Sequence, residues 1–169
     1  FFAEWQGKLG DDLSYSVGVR HDDNDTFGEF TSYRLSSAYV QPVGDGHSIK
    51  YRASYGTGFR APSLYEQWYN VDSGYSFGEA ANTKLEEETS EGFDVGVDFH
   101  SAAGNLIEVV YFNQEIKNAI DFDVQSYSGY IQESGTSRSK GVELNAEWLV
   151  SASTRLIANA TYNLSLIHI

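Results

Sequence analysis

The sequence predicts an all-β protein: an antiparallel, up-and-down transmembrane β-barrel, present as a portion of about eight strands that forms an open curved sheet or partial barrel. Three observations predict it. Apolar and polar residues alternate with period two, the alternating runs are long, and every second connection between them is short. Most runs reach the roughly 9–11 residues that a tilted strand needs to cross a bilayer, against a usual globular length of about 5–6.

The expected strands cover 2–8, 12–22, 31–41, 48–59, 89–101, 105–118, 130–149 and 154–164. In the second, Leu13, Tyr15, Val17 and Val19 alternate with Ser14, Ser16, Gly18 and Arg20. In the fourth, Ile49, Tyr51, Ala53 and Tyr55 alternate with Lys50, Arg52, Ser54 and Gly56. The fifth sets Phe93, Val95, Val97 and Phe99 against Asp94, Gly96, Asp98 and His100. In the seventh, Val142, Leu144, Ala146 and Trp148 alternate with Gly141, Glu143, Asn145 and Glu147. The eighth sets Leu156, Ala158, Ala160 and Tyr162 against Ile157, Asn159, Thr161 and Asn163. From 106 to 113 both faces are apolar, and the pattern assigns no sides. The one helical signal is a turn near 63–67.

Short turns are expected at 10–12, 42–47, 102–104 and 151–153, with longer connections at 23–30, 60–88 and 119–129. Sorting loop length by end is the pattern of an outer-membrane barrel, with short turns on one side and long loops on the other. In hydrocarbon every backbone N–H and C=O must be paired within the protein, so a spanning strand survives only in a closed sheet. The apolar flank then meets lipid, and Lys50, Arg52, Asp94, Asp98, Glu143 and Glu147 point inward. A Lys or Arg on the lipid side would cost roughly 2–4 kcal/mol near the midplane. Trp5, Tyr33, Tyr39, Tyr51, Tyr55 and Trp148 suit interfacial girdles. Taken singly, each also fits a cross-strand pair in a water-soluble sheet.

The composition narrows the function classes. The net charge of -13 excludes a nucleic-acid partner, because phosphate binding needs clustered Lys and Arg. With Cys 0 there is no disulfide framework or thiolate metal site. No run of about 18 apolar residues forms a transmembrane helix. The start at Phe1-Phe2 and the end at Leu166-Ile167-His168-Ile169 are expected of a piece of a longer chain.

Four stretches carry a family resemblance. YGTGFRAPSLYE at 55–66 resembles the strand-exit motif Y-x-x-G-F-(R/K)-A-P-x-(L/F)-x-(E/D) of TonB-dependent outer-membrane receptors. NTKLEEETS at 82–90 stands where such receptors carry N-P-x-L-K-P-E-x-S; Asn82, Leu85, Glu88 and Ser90 match, and the prolines and lysine do not. DNDTFGEFTSYRLSSAY at 23–39 and SRSKGVELNAEW at 137–148, the latter like A-x-x-(K/R)-G-(V/I)-E-x-(E/D), complete the set in the family's order. The flavour is similar to the vitamin B12 and siderophore receptor branch. The resemblance implies a barrel of about 22 strands filled by an amino-terminal plug. It implies uptake of a metal chelate or corrinoid, energised through TonB, in the outer membrane of a Gram-negative bacterium, with no enzymatic activity and no cofactor. Residues 1–169 then form part of the barrel domain without the plug, and outer-membrane lipid, plug and TonB are the expected partners, the last two through other parts of the protein.

Within the motifs, Gly58, Phe59, Arg60, Ala61 and Pro62 form the strand exit, and Gly141 and Glu143 mark the later motif. Gly56 and Gly58 clear the inward face for a close approach or mark a bend. Pro62 ends pairing because it lacks an N–H. Arg60 is expected to tie the wall together through Glu66 or Glu88. The loop beyond carries the candidate ligand-binding residues Tyr65, Trp68, Tyr69, Asn70, Asp72 and Tyr75, with Phe77, because aromatics with interleaved polar groups suit a bulky ligand. The same side chains could simply cover the barrel rim. The acidic clusters Asp22-Asp23-Asn24-Asp25 and Glu86-Glu87-Glu88 lack the spacing of a calcium loop and read as solvated charge. His21, His47, His100 and His168 have no metal spacing, so no metal site and no catalytic residue is assigned. Asp94 and Asp98 share a strand face, which lumen carboxylates explain without catalysis.

Two rivals make distinct structural demands. A small complete barrel, acting as a pore, adhesin or lipid enzyme, must close between the first and last strands. A soluble carbohydrate-binding β domain must bury an apolar core between two sheets.

Overall fold

The computed structural model describes residues 1–25 and 28–168, with side chains described for all of these except 82 and 166–168. Strands β1 (Phe2–Leu9), β2 (Leu13–Asn24), β3 (Gly28–Gly44) and β4 (His47–Arg60) run as successive hairpins. Helix α1 (Leu64–Val71) and a 3₁₀ turn, Ala80–Asn82, precede β5 (Glu88–His100) and β6 (Leu106–Lys117). A small hairpin of β7 (Ile120–Phe122) and β8 (Tyr130–Gln132) leads to β9 (Thr136–Ser151) and β10 (Thr154–His168). The long strands form one 8-stranded antiparallel sheet in the order β1-β2-β3-β4-β5-β6-β9-β10.

Register sorts the alternation into two faces. Leu9, Leu13, Tyr39, Tyr51, Val97, Val109, Leu144 and Ala160 lie opposite one another in a single row across every long strand. The adjoining row on the other face holds Lys50, Asp98, Glu108, Asn145 and Asn159. A one-residue slip anywhere would exchange the two faces, so the pattern fixes the pairing. The ambiguous stretch resolves here: Val109 and Tyr111 join the apolar face, while Glu108, Val110 and Phe112 join the polar one.

The apolar face carries no second layer. Val17, Val97, Val109 and Leu144 are 43–47% exposed, whereas buried hydrophobics are confined to Ala80, Leu85, Val110 and Ile120 among the described residues. That arrangement removes the soluble-domain reading, which needs these side chains packed against another sheet. Among the described residues β1 and β10 do not pair, so these eight strands form an open sheet and not the closed small barrel.

The polar face is ion-paired. Asp98 is 1% exposed and takes Lys50 Nζ at 3.4 Å and Arg52 Nε at 3.1 Å. Arg52 also reaches Glu108, at 3.6 Å. It can do so because Gly96 stands opposite it: a Cβ there would lie 3.1 Å from Arg52 Nε. Ser54 donates to Asp94 at 2.6 Å, and the Ser16 and Ser36 hydroxyls meet at 2.8 Å. Glu143 shares this face opposite Val110, and Glu147 receives Arg155 at 3.1 Å.

Four expectations about boundaries are corrected. The connection expected at 23–30 is only 25–27, because β2 and β3 stay paired as far as Asn24 and Gly28; Thr26 and Phe27 lie outside the described residues. The turn expected at 42–47 shrinks to Asp45-Gly46, both with positive φ (50° and 76°), the type I′ geometry that suits a twisted hairpin. Pro42 is accommodated by a register shift between it and Gly44. The single strand expected at 130–149 is two, β8 pairing with β7 and β9 with β6, and the turn near 63–67 is the start of a helix.

Candidate functional site

The loop end of the sheet is where side-chain chemistry concentrates. β4 stops at Arg60, and the buried Pro62 follows. Ser63 caps α1 with a capping box: its hydroxyl accepts from Glu66 N–H at 3.2 Å, and Glu66 Oε2 accepts from Ser63 N–H at 2.6 Å. Arg60 then forks between two carboxylates. Its Nη1 lies 3.0 Å from Glu66, and its Nε and Nη2 lie 2.5 and 2.8 Å from Glu88, opposite it on β5. Glu88 also accepts from the backbone N–H of Ile120 at 2.6 Å, so one guanidinium joins β4, β5, α1 and the start of β7. Burial would raise the Glu66 carboxyl, but the Ser63 N–H and Arg60 outweigh it and hold the pKa below the ordinary carboxylate value.

A second set of bonds fuses the two long loops. Asn70, 3% exposed, donates to the carbonyl of Tyr130 at 2.8 Å and accepts from its N–H at 2.9 Å. Gln132 does the same to Glu86, donating to its carbonyl and accepting from its N–H, both at 2.9 Å. Phe77 N–H reaches the Ser128 carbonyl at 3.0 Å. Gly129, with φ 139°, sits so close that a Cβ would lie 2.8 Å from Asn70 Oδ1 and 2.9 Å from Ala80 Cβ. The turn between β7 and β8 is held by Asp123, whose carboxylate accepts from the Ser126 hydroxyl and N–H, the Ser128 hydroxyl and the Gln125 N–H; those bonds lower its pKa to about 2.

Aromatic rings from both loops meet over this frame. Tyr69 packs edge-on against Phe122 and Tyr130, at 5.6 and 5.8 Å. Tyr65 contacts Trp68, Tyr69 and Tyr130. Phe122 also meets Tyr127 and Tyr130.

The sequence-predicted residues therefore separate. Tyr65 and Trp68 are 58% and 46% exposed and form the outer side of the aromatic group, with Tyr69 half-buried behind them. Asn70 is engaged by Tyr130. Asp72 is the exposed C-cap of α1, its N–H bonded to Trp68 O, and Tyr75 stands apart in solvent. Gly58 packs its backbone near Ser90, the Phe59 ring lies tilted against Phe30 with centroids 4.3 Å apart, and Ala61 lines a cavity of ≈ 470 Å³ with Arg20, Asp22 and Glu87. Gly141 lies within β9, opposite Phe112 of β6. A Cβ there would meet Tyr162 O and the Phe112 ring at 2.8 Å, so Gly141 gives Phe112 its place on the polar face. Sequence reasoning missed Phe122, Tyr127, Gly129, Tyr130 and Gln132, although the aromatic density of residues 122–130 was a usable signal. Asn82 and His168 have side chains outside the described residues. No cluster of metal-ligating side chains occurs among the described residues.

Comparisons with known proteins fit this geometry. A family model described as "TonB dependent receptor-like, beta-barrel" matches residues 1–167. The chain is 29% identical over 146 residues to the vitamin B12 transporter BtuB of Vibrio cholerae serotype O1, covering 86% of this chain and 21% of that protein. Among solved structures it resembles the siderophore receptor PirA of Pseudomonas aeruginosa, with a TM-score of 0.79 at 24% identity over 97% of this chain and 31% of that one. It also resembles the ferric enterobactin receptor PfeA of the same organism, in a mutant form, with a TM-score of 0.71 at 20% identity, covering 96% of this chain and 26% of that one. The chain thus spans about a fifth of the length of the curated relatives it matches.

Proposed function

The chain belongs to the TonB-dependent receptor β-barrel family, and from that premise we propose that it builds part of the wall and outer loops of a receptor for active import of a scarce nutrient across the outer membrane. The nutrient is a metal chelate or corrinoid: an iron-siderophore, haem or vitamin B12. The apolar flank meets lipid, the ion-paired flank lines the lumen, the short turns face the periplasm, and the fused loops face outward. A plug and TonB, engaged through parts of the protein outside these residues, supply closure and energy.

The observation that carries this reading is the aromatic group of Tyr65, Trp68 and Tyr69 held on a rigid two-loop frame. Flat, apolar rings with polar rims suit a large ligand with its own conjugated or macrocyclic surface. Preorganising those rings lowers the ordering cost of binding. Capture at the loops, then movement of the plug, gives the order of events. Tyr65→Ala with Trp68→Ala in the full-length receptor is expected to weaken binding of its imported ligand about tenfold or more, with the receptor still assembled in the membrane. Unchanged affinity would remove these residues from the site.

A further inference from the structure

Of the chain's 11 Lys and Arg residues, all of them described, only Lys117, Arg138 and Lys140 stand on the apolar face of the sheet. They are neighbours. Arg138 pairs across β6 and β9 with Glu115, Lys117 lies opposite Thr136, and Lys140 lies opposite Asn113. Strand geometry puts all three within about 15 Å. In a chain of net charge -13, such a cationic cluster is not a general property of the surface.

Its position along the strands is equally specific. On β9 the apolar face reads Trp148, Ala146, Leu144, Val142, and then Lys140 and Arg138. On β6 it reads Ile107, Val109, Tyr111, and then Asn113, Glu115 and Lys117. The oily run stops on both strands at the same register, where Tyr111 faces Val142; the next pair on this face is Asn113 with Lys140, and Glu115, Arg138 and Lys117 follow nearer the loops. Side chains that continue a lipid-facing flank past its apolar limit sit at the depth of the headgroups. Glu91 holds Lys117 at 3.4 Å and Glu115 holds Arg138, while Lys140 makes no ion pair among the described residues. Two cations are thus pre-set in place and a third is open.

We propose that Lys117, Arg138 and Lys140 form a docking surface for the phosphate groups of anionic lipid headgroups in the leaflet that surrounds the loop end. Arg138 offers a guanidinium that can fork onto phosphate oxygens, and the two lysines supply flanking point charges. The acidic partners keep the cations extended and leave a net positive surface. The assignment rests on the membrane-spanning reading given under Proposed function.

The test uses the full-length receptor in nanodiscs of phosphatidylcholine alone or with phosphatidylglycerol added, reading retained lipid by native mass spectrometry and the thermal midpoint in parallel. The unaltered receptor is expected to retain phosphatidylglycerol selectively and to unfold at higher temperature in its presence. Lys117→Gln, Arg138→Gln and Lys140→Gln together are expected to reduce retention about tenfold and abolish the thermal gain. Lys117→Arg with Lys140→Arg should keep both, and Lys84→Gln, in the loops, should change neither. If the triple variant does not assemble, Lys140→Gln alone breaks no ion pair and should still lower retention. Equal retention by the unaltered and variant receptors would overturn the proposal, as would equal stabilisation by inorganic phosphate in phosphatidylcholine nanodiscs. A receptor that stays folded and monodisperse without any detergent or lipid would instead overturn the membrane reading itself.

Discussion

The side chain of Asn70 engages both backbone groups of Tyr130, donating its NH₂ to the carbonyl at 2.8 Å and accepting from the N–H with its oxygen at 2.9 Å. A side-chain amide is standing in for a neighbouring strand. The helix of the first long loop thereby becomes part of the hairpin in the second.

Asn70→Ala leaves both Tyr130 groups without that partner in a site where Asn70 itself is 3% exposed. Each orphaned group costs about 1–3 kcal/mol. Hydrogen exchange of the full-length receptor should show lost protection at 118–135 as well as 64–82. Exchange that rises only within the helix would mean that the loops are held independently.

Arg60→Ala strands the carboxylates of Glu66 and Glu88 together. Because the guanidinium is 46% exposed, solvent relieves part of the cost, and a loss of about 1–2 kcal/mol is expected. Arg60→Lys should recover only a fraction, since one ammonium cannot fork between two carboxylates as the guanidinium does. Denaturant midpoints in detergent measure both; full recovery by Lys would show that charge alone matters.

The Asp123 carboxyl should titrate at about 2, below the ordinary carboxylate range. A depressed folded-state pKa means stability that is complete above the unfolded value of about 4 and is lost as pH falls through about 2. The β7–β8 turn should therefore hold through mild acid. A carboxyl-carbon NMR titration reads this directly, and an inflection near 4 would contradict the bond network. Asp123→Asn should loosen the turn at neutral pH, seen as faster proteolytic nicking within 118–135.

Gly141→Leu places a side chain against the Phe112 ring and against the Tyr162 carbonyl of the next strand. Overpacking of this kind costs about 1–3 kcal/mol or blocks assembly. Phe112→Ala in the same chain should relieve the first contact and leave the second, so only partial rescue is expected by heat-modifiable gel mobility.

The strands were legible because each side chain on a long two-faced sheet must choose between two environments, and Leu13 to Val19 or Phe93 to Phe99 show that choice residue by residue. The link from Arg60 to Glu66 and Glu88 was legible for a different reason: a lone Arg at a strand exit is followed by Glu66 and, where the next strand begins, by Glu88. The bonds from Asn70 to Tyr130, sixty positions away, are not visible in the sequence, because local composition does not show which distant peptide groups need a partner. Gln132 left no trace for the same reason. The β2–β3 hairpin was cut short because Asp22, Asp23 and Asn24 look like a loop by composition, whereas cross-strand pairing carries them on as strand. Long-range partners, not local preference, decided each of these.

The sheet has two raw seams. β1 and β10 each bond to a neighbour on one side only, which leaves a ladder of peptide groups along either margin. In water such margins are templates for stacking, copy upon copy, and in hydrocarbon each vacant group costs several kcal/mol. Expressed by itself, this sheet should therefore associate edge to edge unless something else covers its margins.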